Sequence, residues 1–179
     1  MSFIADGLLT FRRHAKKSHP DIPWLWRNES LATMPETPYV LIEEIDRSVN
    51  QSEDLRAVGY DGEMEFYEHV RSMVRLMFVS DSPQKSMDMA HQAWRHMRLQ
   101  SFMMAADYDG IAVGPPTEIQ TVQLPDYSSG EMSIKAVAMT TVRVTYVEVY
   151  RDNLGVIKHA EAHGKFGDLD TTLIINDKE

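Results

Sequence analysis

His159-Ala160-Glu161-Ala162-His163, with Asp168 and Asp170 close behind, is the densest group of metal-ligating side chains in this sequence. In an extended segment alternate residues share a face, so His159, Glu161 and His163 would converge as three zinc ligands. The spacing is also common by chance and brings no distinct fourth-ligand motif. It lies where a strand meets the Gly164 turn, a usual place for solvated polar residues. The expectation is therefore no metal, no cofactor and no catalytic residue. A small metal-dependent enzyme built on His159, Glu161 and His163 stays open as the alternative from a different class.

Other candidates carry less. His91 and His96 are five apart on a helical stretch, so they point in different directions and do not form an H-E-x-x-H pair. Asp107-Tyr108-Asp109-Gly110 opens like a calcium loop but lacks the later acidic ligands and the closing glutamate, so it reads as a helix-terminating turn. Glu43 and Glu44 are adjacent in a strand pattern, point to opposite faces and read as solvated. No phosphate-binding glycine loop, dinucleotide fingerprint or serine elbow is present, and without cysteine there is no thiol nucleophile.

The elements that would position these residues read as follows. Ile4, Leu8, Phe11 and Ala15 mark one helix face, with Arg12, Arg13, Lys16 and Lys17 near its end, before Pro20 and Pro23. A Trp- and Pro-rich loop over 21–38 holds Trp24 and Trp26, which could anchor a partner subunit or plug the local core. Pro38 opens a strand through Asp46, and the polar stretch 50–62 reads as a loop or irregular insertion. A second strand covers Glu65 to Val79. Ser82 and Pro83 then start a helix whose Met87, Ala90, Trp94 and Met97 should face a sheet and which stops before Gly110. Thr117 to Leu124 alternates again, and Pro125 to Gly130 is a turn. Val156 to Ala162 returns as a partner strand, and Thr171 to Ile175 is a short last strand.

Between these lies Met132 to Arg151, alternating throughout without glycine or proline. Extended at ~3.3 Å per residue it would span about 66 Å, against a diameter of about 40 Å for a compact domain of this length. Such a strand must bend or project to meet another chain. Arg143, Thr145, Val147 and Val149 on one of its faces, together with Trp24 and Trp26, are the candidate subunit-interface residues. The fold class is α+β: a mostly antiparallel sheet packed on one or two helices, with one long bent strand. One domain is expected over 1–179, with 1–37 as a candidate interface arm.

Composition narrows function further. The chain has 179 residues, 43% of them hydrophobic, and a net charge of −9, so it can build a core but does not carry the basic footprint of a duplex binder. No apolar run reaches the ~18 residues of a membrane span. The first residues are amphipathic and lack the continuous apolar stretch of a signal peptide. Zero cysteines exclude disulfides and thiolate metal sites, and fit folding in a reducing cytosol. The twelve methionines suit adaptable packing.

The order of elements resembles the neck or tail-terminator proteins of tailed bacteriophages over most of the chain. The resemblance is carried by Pro38-Tyr39-Val40-Leu41-Ile42, the strand Val70 to Val79, the helix opening at Ser82-Pro83, the strand Ile134 to Tyr150, and the close Gly167-Asp168-Leu169-Asp170-Thr171-Thr172-Leu173-Ile174-Ile175. It implies a hexameric ring in the virion, made in the host cytoplasm and seated at the tail–neck junction. Such a ring caps the tail tube, ends its polymerisation and meets the neck or connector protein. Genomic DNA would pass through the lumen without specific binding, and no membrane is involved. Another head–tail joining or tail-completion protein is the nearest alternative. The 50–62 stretch and the Trp-rich loop have no role assigned by the resemblance.

Metal analysis separates the classes. The purified protein is expected to carry no stoichiometric metal, and His159→Ala or His163→Ala to change nothing. Bound metal lost in both variants would favour the enzyme.

Overall fold

The computed structural model describes residues 5–27, 35–58, 63–126, 133–153, 159–166 and 169–176, and side-chain surroundings for 5–27, 35–49, 67–123 and 135–149. Two compact units are present: Met1–Glu53 with Glu68–Glu148, and Asp54–Tyr67 with Val149–Glu179. This differs from the single domain expected. Three long strands contribute residues to both units.

The first unit begins with helix α1 (Asp6–Ala15), followed by a 3-10 turn over Lys16–Ser18. Asp6 in the first turn and Arg12, Arg13 and His14 in the last complement the helix dipole. Leu8, Phe11 and Ala15 are buried as their spacing requires. Strand β1 (Trp24–Trp26) pairs parallel with β2 (Tyr39–Val58), Trp24 opposite Val40. Then come β3 (Glu63–Ser80), α2 (Pro83–Met97), α3 (Gln100–Tyr108), β4 (Ile111–Val113), β5 (Gln120–Asp126) and β6 (Ser133–Asn153). The six-stranded, mostly antiparallel sheet runs β1-β2-β3-β6-β4, with β5 also paired to β6. This is the α+β class expected, with helices packed on a mostly antiparallel sheet. The second unit includes β7 (His159–Phe166) and β8 (Leu169–Asn176), an antiparallel pair forming its own two-stranded sheet.

Several expectations need correction. The polar stretch expected as a loop continues β2 through Val58, leaving only 59–62 outside the described residues. Pairing with β3 supplies its backbone hydrogen bonds whatever its side chains, and strand preference yields to such context. The helix expected to run towards Gly110 is two: Arg98 ends α2, and Leu99 turns extended to start α3. Arg98, Leu99 and Gln100 are all good helix formers, so nothing local marks the break. The restart turns Phe102 and Ala106 into the core. On α2 the buried stripe is Ser86, Met89, Ala90, Ala93 and Met97, with Met87 and Trp94 half-buried beside it. Pro125 and Asp126 belong to β5, opposite Ile134 and Ser133, and not to a turn; 127–132 lie outside the described residues. The strand expected to return against β6 pairs instead with β8. Of the segment expected as a candidate arm, residues 5–27 are described, and there α1 and both tryptophans of β1 are built into the main core.

That core lies between the helices and one face of the sheet. It gathers Leu8 and Phe11 of α1, Ala90 and Met97 of α2, Phe102 of α3, Val74 and Phe78 of β3, and Val142, Val144 and Tyr146 of β6. Helix α1 sits so close to β6 that a Cβ at Gly7 would fall into the Tyr146 ring. Alanine normally favours a helix over glycine by about 1 kcal/mol, while overpacking a core costs about 1–3 kcal/mol. Gly7→Ala should therefore lower the denaturation midpoint. An unchanged or higher midpoint would mean that α1 moves away freely.

Candidate functional site

Strand alternation gives β6 two faces. Ala136, Ala138, Thr140, Val142, Val144 and Tyr146 are buried towards the helices. Val137, Met139, Thr141, Arg143, Thr145 and Val147 therefore lie on the helix-free face. That face is graded along its length. At one end Val137 joins Tyr39, Met77 and Val79 in a second buried cluster, with Leu41 and Met139 against it, and the Lys135 ammonium lies 5.7 Å over the Tyr39 ring. Next to it Glu43 accepts from Arg27 at 2.7 Å and faces Arg75 at 3.3 Å. At the other end Arg143 and Val147 are exposed, with Thr145 half-buried between them.

The adjacent carboxylates do use opposite faces, but neither is simply solvated. Glu43 holds the two arginines, whereas Glu44 accepts from the Ser72 hydroxyl at 2.6 Å on the core side. Ser72 also lies 3.4 Å from the Tyr146 hydroxyl, and burial pushes that phenol above its usual pKa.

The sheet margins complete the site. Along one margin β5 pairs with β6 from Ser133 to Met139. The N–H groups of Thr117 and Gly114 then bond the carbonyls of Thr141 and Arg143. Finally β4 covers Val144 to Tyr146. Beyond Tyr146 no described strand pairs on that edge of β6. At the opposite margin β1 covers only Val40 to Ile42 of β2, and the Arg27 N–H bonds the Ile42 carbonyl. Further along β2 that edge again has no strand partner among the described residues. An unpaired edge beside β-branched side chains is material for strand addition by another chain.

Of the expected interface residues, Val147 and Val149 are 42% and 49% exposed and Arg143 is exposed. Trp24 and Trp26 are each 4% exposed and packed in the core, so they plug it and have no area left for a partner. Trp24 stands edge-on to Phe78 and donates from its indole nitrogen to the His19 carbonyl at 3.3 Å.

A second polar constellation lies within the helix layer and went unnoticed in the sequence. The His14 ring, almost fully buried, contacts Asp109 through Nε2 at 2.6 Å, and the Lys17 ammonium is 3.4 Å from Nδ1. Lysine only donates and a carboxylate only accepts, so neutral His14 carries its proton on Nε2. Arg13 also donates to Asp109 at 2.8 Å. The His14 hydrogen bond, aided by Arg13, holds the Asp109 carboxyl below its ordinary range. His14 and His96 both meet the Phe102 ring edge-on, and His19 tilts against Phe78. This histidine–carboxylate pair is of the kind found in catalytic triads, with the His14 ring buried edge-on to Phe102 and Asp109 exposed. Its work is to tie α1 to the end of α3, where Gly110 takes a positive φ of 79°. The turn expected at Asp107 to Gly110 is thus present, and Asp109 in it is the partner of the first helix.

His159, Glu161 and His163 occupy alternate positions of β7, opposite Asn176, Ile174 and Thr172, and their side chains lie outside the described set. Among the described residues no group of three His, Asp or Glu side chains could hold a metal ion, and no helix is long and apolar enough to cross a membrane. An open groove of about 500 Å³ lies between the first turn of α2 and β5 and is lined by Pro83, Met87, Val122 and Val137. Neither a family model nor a curated protein matches this chain.

Burial lowers the pKa of His19, reinforced by the charge of His96 and opposed by a Gln92 hydrogen bond. Burial also lowers that of His96, against a hydrogen bond with the His14 backbone, with Lys17 and His14 adding to the depression. Below the ordinary histidine value of 6.5 the unfolded chain then binds protons that the folded chain refuses. Stability should fall as pH drops from 6.5 towards the lowered folded values. It should fall again below the ordinary 3.8 of Asp109, whose stabilising ionised form is lost through its depressed folded pKa. Denaturation midpoints against pH would read both windows, and a His19→Gln/His96→Gln double variant should flatten the upper one alone. A midpoint flat from pH 7 to 5 would contradict this account.

Proposed function

We propose that this chain is a structural assembly subunit, a tail terminator of a tailed bacteriophage that closes into a hexameric ring. The ring caps the tail tube, ends its growth and joins it to the neck or connector protein. One observation carries the assembly part: β6 runs for 21 residues, yet its described edge pairing ends at Tyr146, leaving exposed Val147 and Val149 beyond it. A strand that outruns its partners can be completed by the backbone of a neighbour, with alternate side chains giving specificity. The virion part rests on the resemblance in element order, which the mixed sheet, the helix opening at Pro83 and the long strand support. An acidic chain lining a lumen would repel DNA phosphates over about 8 Å at physiological salt, letting the genome pass without sticking.

Light scattering of the purified protein, followed by electron microscopy alone and with the tail-tube protein, tests this reading. Closed rings that seat on tube ends are expected. A chain that stays monomeric at high concentration and with tube present would overturn it. Rings that locate elsewhere at the head–tail junction would favour another joining protein.

A further inference from the structure

The helix layer of the first unit carries an exposed apolar surface of its own. Helix α3 buries Phe102 and Ala106. At ~100° per residue its opposite arc takes, in angular order, Met103, Asp107, Gln100, Met104 and Tyr108, with Leu99 at the N-cap flanking Ala106. The residues of that arc are all exposed, Met104 at 64% and Tyr108 at 91%. Single exposed apolar residues need no explanation, but Met103, Met104 and Tyr108 gathered around the Asp107 carboxylate form a patch. The sheet of the same unit offers its counterpart. Arg143 stands exposed on the outer face of β6, framed by Thr141, Thr145 and Val147. Among the described residues neither Asp107 nor Arg143 has an ion-pair partner.

We propose that the outward face of α3 in one copy docks on the outward face of β6 in the next, setting Asp107 of one against Arg143 of the other. Met103 and Met104 then cover Thr145 and Val147. This rests on the ring reading above. The occupant is a second copy because the two exposed surfaces carry opposite charges, Asp107 on one and Arg143 on the other. The surfaces belong to opposite layers of one unit, so joining them relates copies head to tail. Such a heterologous contact gives a ring where its rotation closes and an open filament where it does not, whereas a two-fold dimer through α3 would oppose Asp107 to Asp107. Methionines on the helix side can adjust to the relief of the strand.

The sequence contains no cysteine, so introduced thiols are unambiguous. With a short bis-maleimide, the Met104→Cys/Val147→Cys double variant should give a ladder up to the full ring. An equal mixture of the two single variants should give dimers only, and each single variant alone nothing. Asp107→Arg and Arg143→Asp should each raise the concentration needed for assembly roughly tenfold, and the exchanged double variant should restore it. Circular dichroism melts should stay unchanged, since both side chains are exposed. Rings that form without the ladder, or ignore both charge reversals, would overturn this surface and leave the ring reading standing. Dimers from Met104→Cys alone would overturn the head-to-tail arrangement, as would a charge reversal that disturbs only tube binding. A wild-type chain that never assembles would end both readings.

Discussion

Everything in the first unit depends on β6 having two usable faces. Successive side chains of a strand point to opposite sides, so a single run of residues must meet a dry core and an open surface at once. β6 meets the first demand with small and β-branched residues, Ala136 and Ala138 beside Val142 and Val144, which let helices approach. The approach is closest at Gly7, where α1 rests on Tyr146 with no room for a Cβ. Tyr146 in turn reaches Ser72, and Ser72 holds Glu44. One strand therefore sets the height of the helix layer and anchors the polar contacts beneath it.

Charge is distributed by the same alternation. Glu43 and Glu44 are neighbours in sequence, yet one gathers Arg27 and Arg75 on the outer face while the other serves Ser72 on the inner one. The helix layer has its own junction, in which Asp109 at the end of α3 receives both Arg13 and His14. The stabilisation from exposed pairs such as Arg13–Asp109 is small, because solvent and salt screen them. The His14 contact matters more, because a buried ring nitrogen without an acceptor would leave a polar group unsatisfied. The packed rings of His14 and His96 meet on Phe102 and so link α1, α2 and α3.

These features bear on the proposed assembly. A self-contained domain has reason to cover its edges and keep its surface free of apolar patterning. Here the edge pairing of β6 among the described residues stops short of the strand's end, and α3 turns Met103, Met104 and Tyr108 outward. A ring of copies would use both, one through backbone hydrogen bonds and one through side chains.

The sequence by itself determined the class of fold, the long alternating strand, the start of α2 at Pro83, the face of α1 and the turn at Gly110. Each rests on a local rule: period two, period 3.6, proline at a helix start, glycine at its end. Of the expected site, Arg143, Thr145, Val147 and Val149 lay on one face of β6 by alternation, and that parity was legible. Which face the helices would cover was decided only in the tertiary structure, because the outer row also contains Val137 and Met139. The fate of Trp24 and Trp26 was likewise undecidable from composition, since tryptophan serves cores and interfaces alike. Their burial follows from β1 pairing with β2. Strand character over 50–58, the break at Leu99, the small β7–β8 sheet and the His14–Asp109 contact all depend on partners distant in sequence. No local pattern records a partner 95 residues away. Local rules specify what a segment can become, and long-range pairing selects which of those options each segment takes.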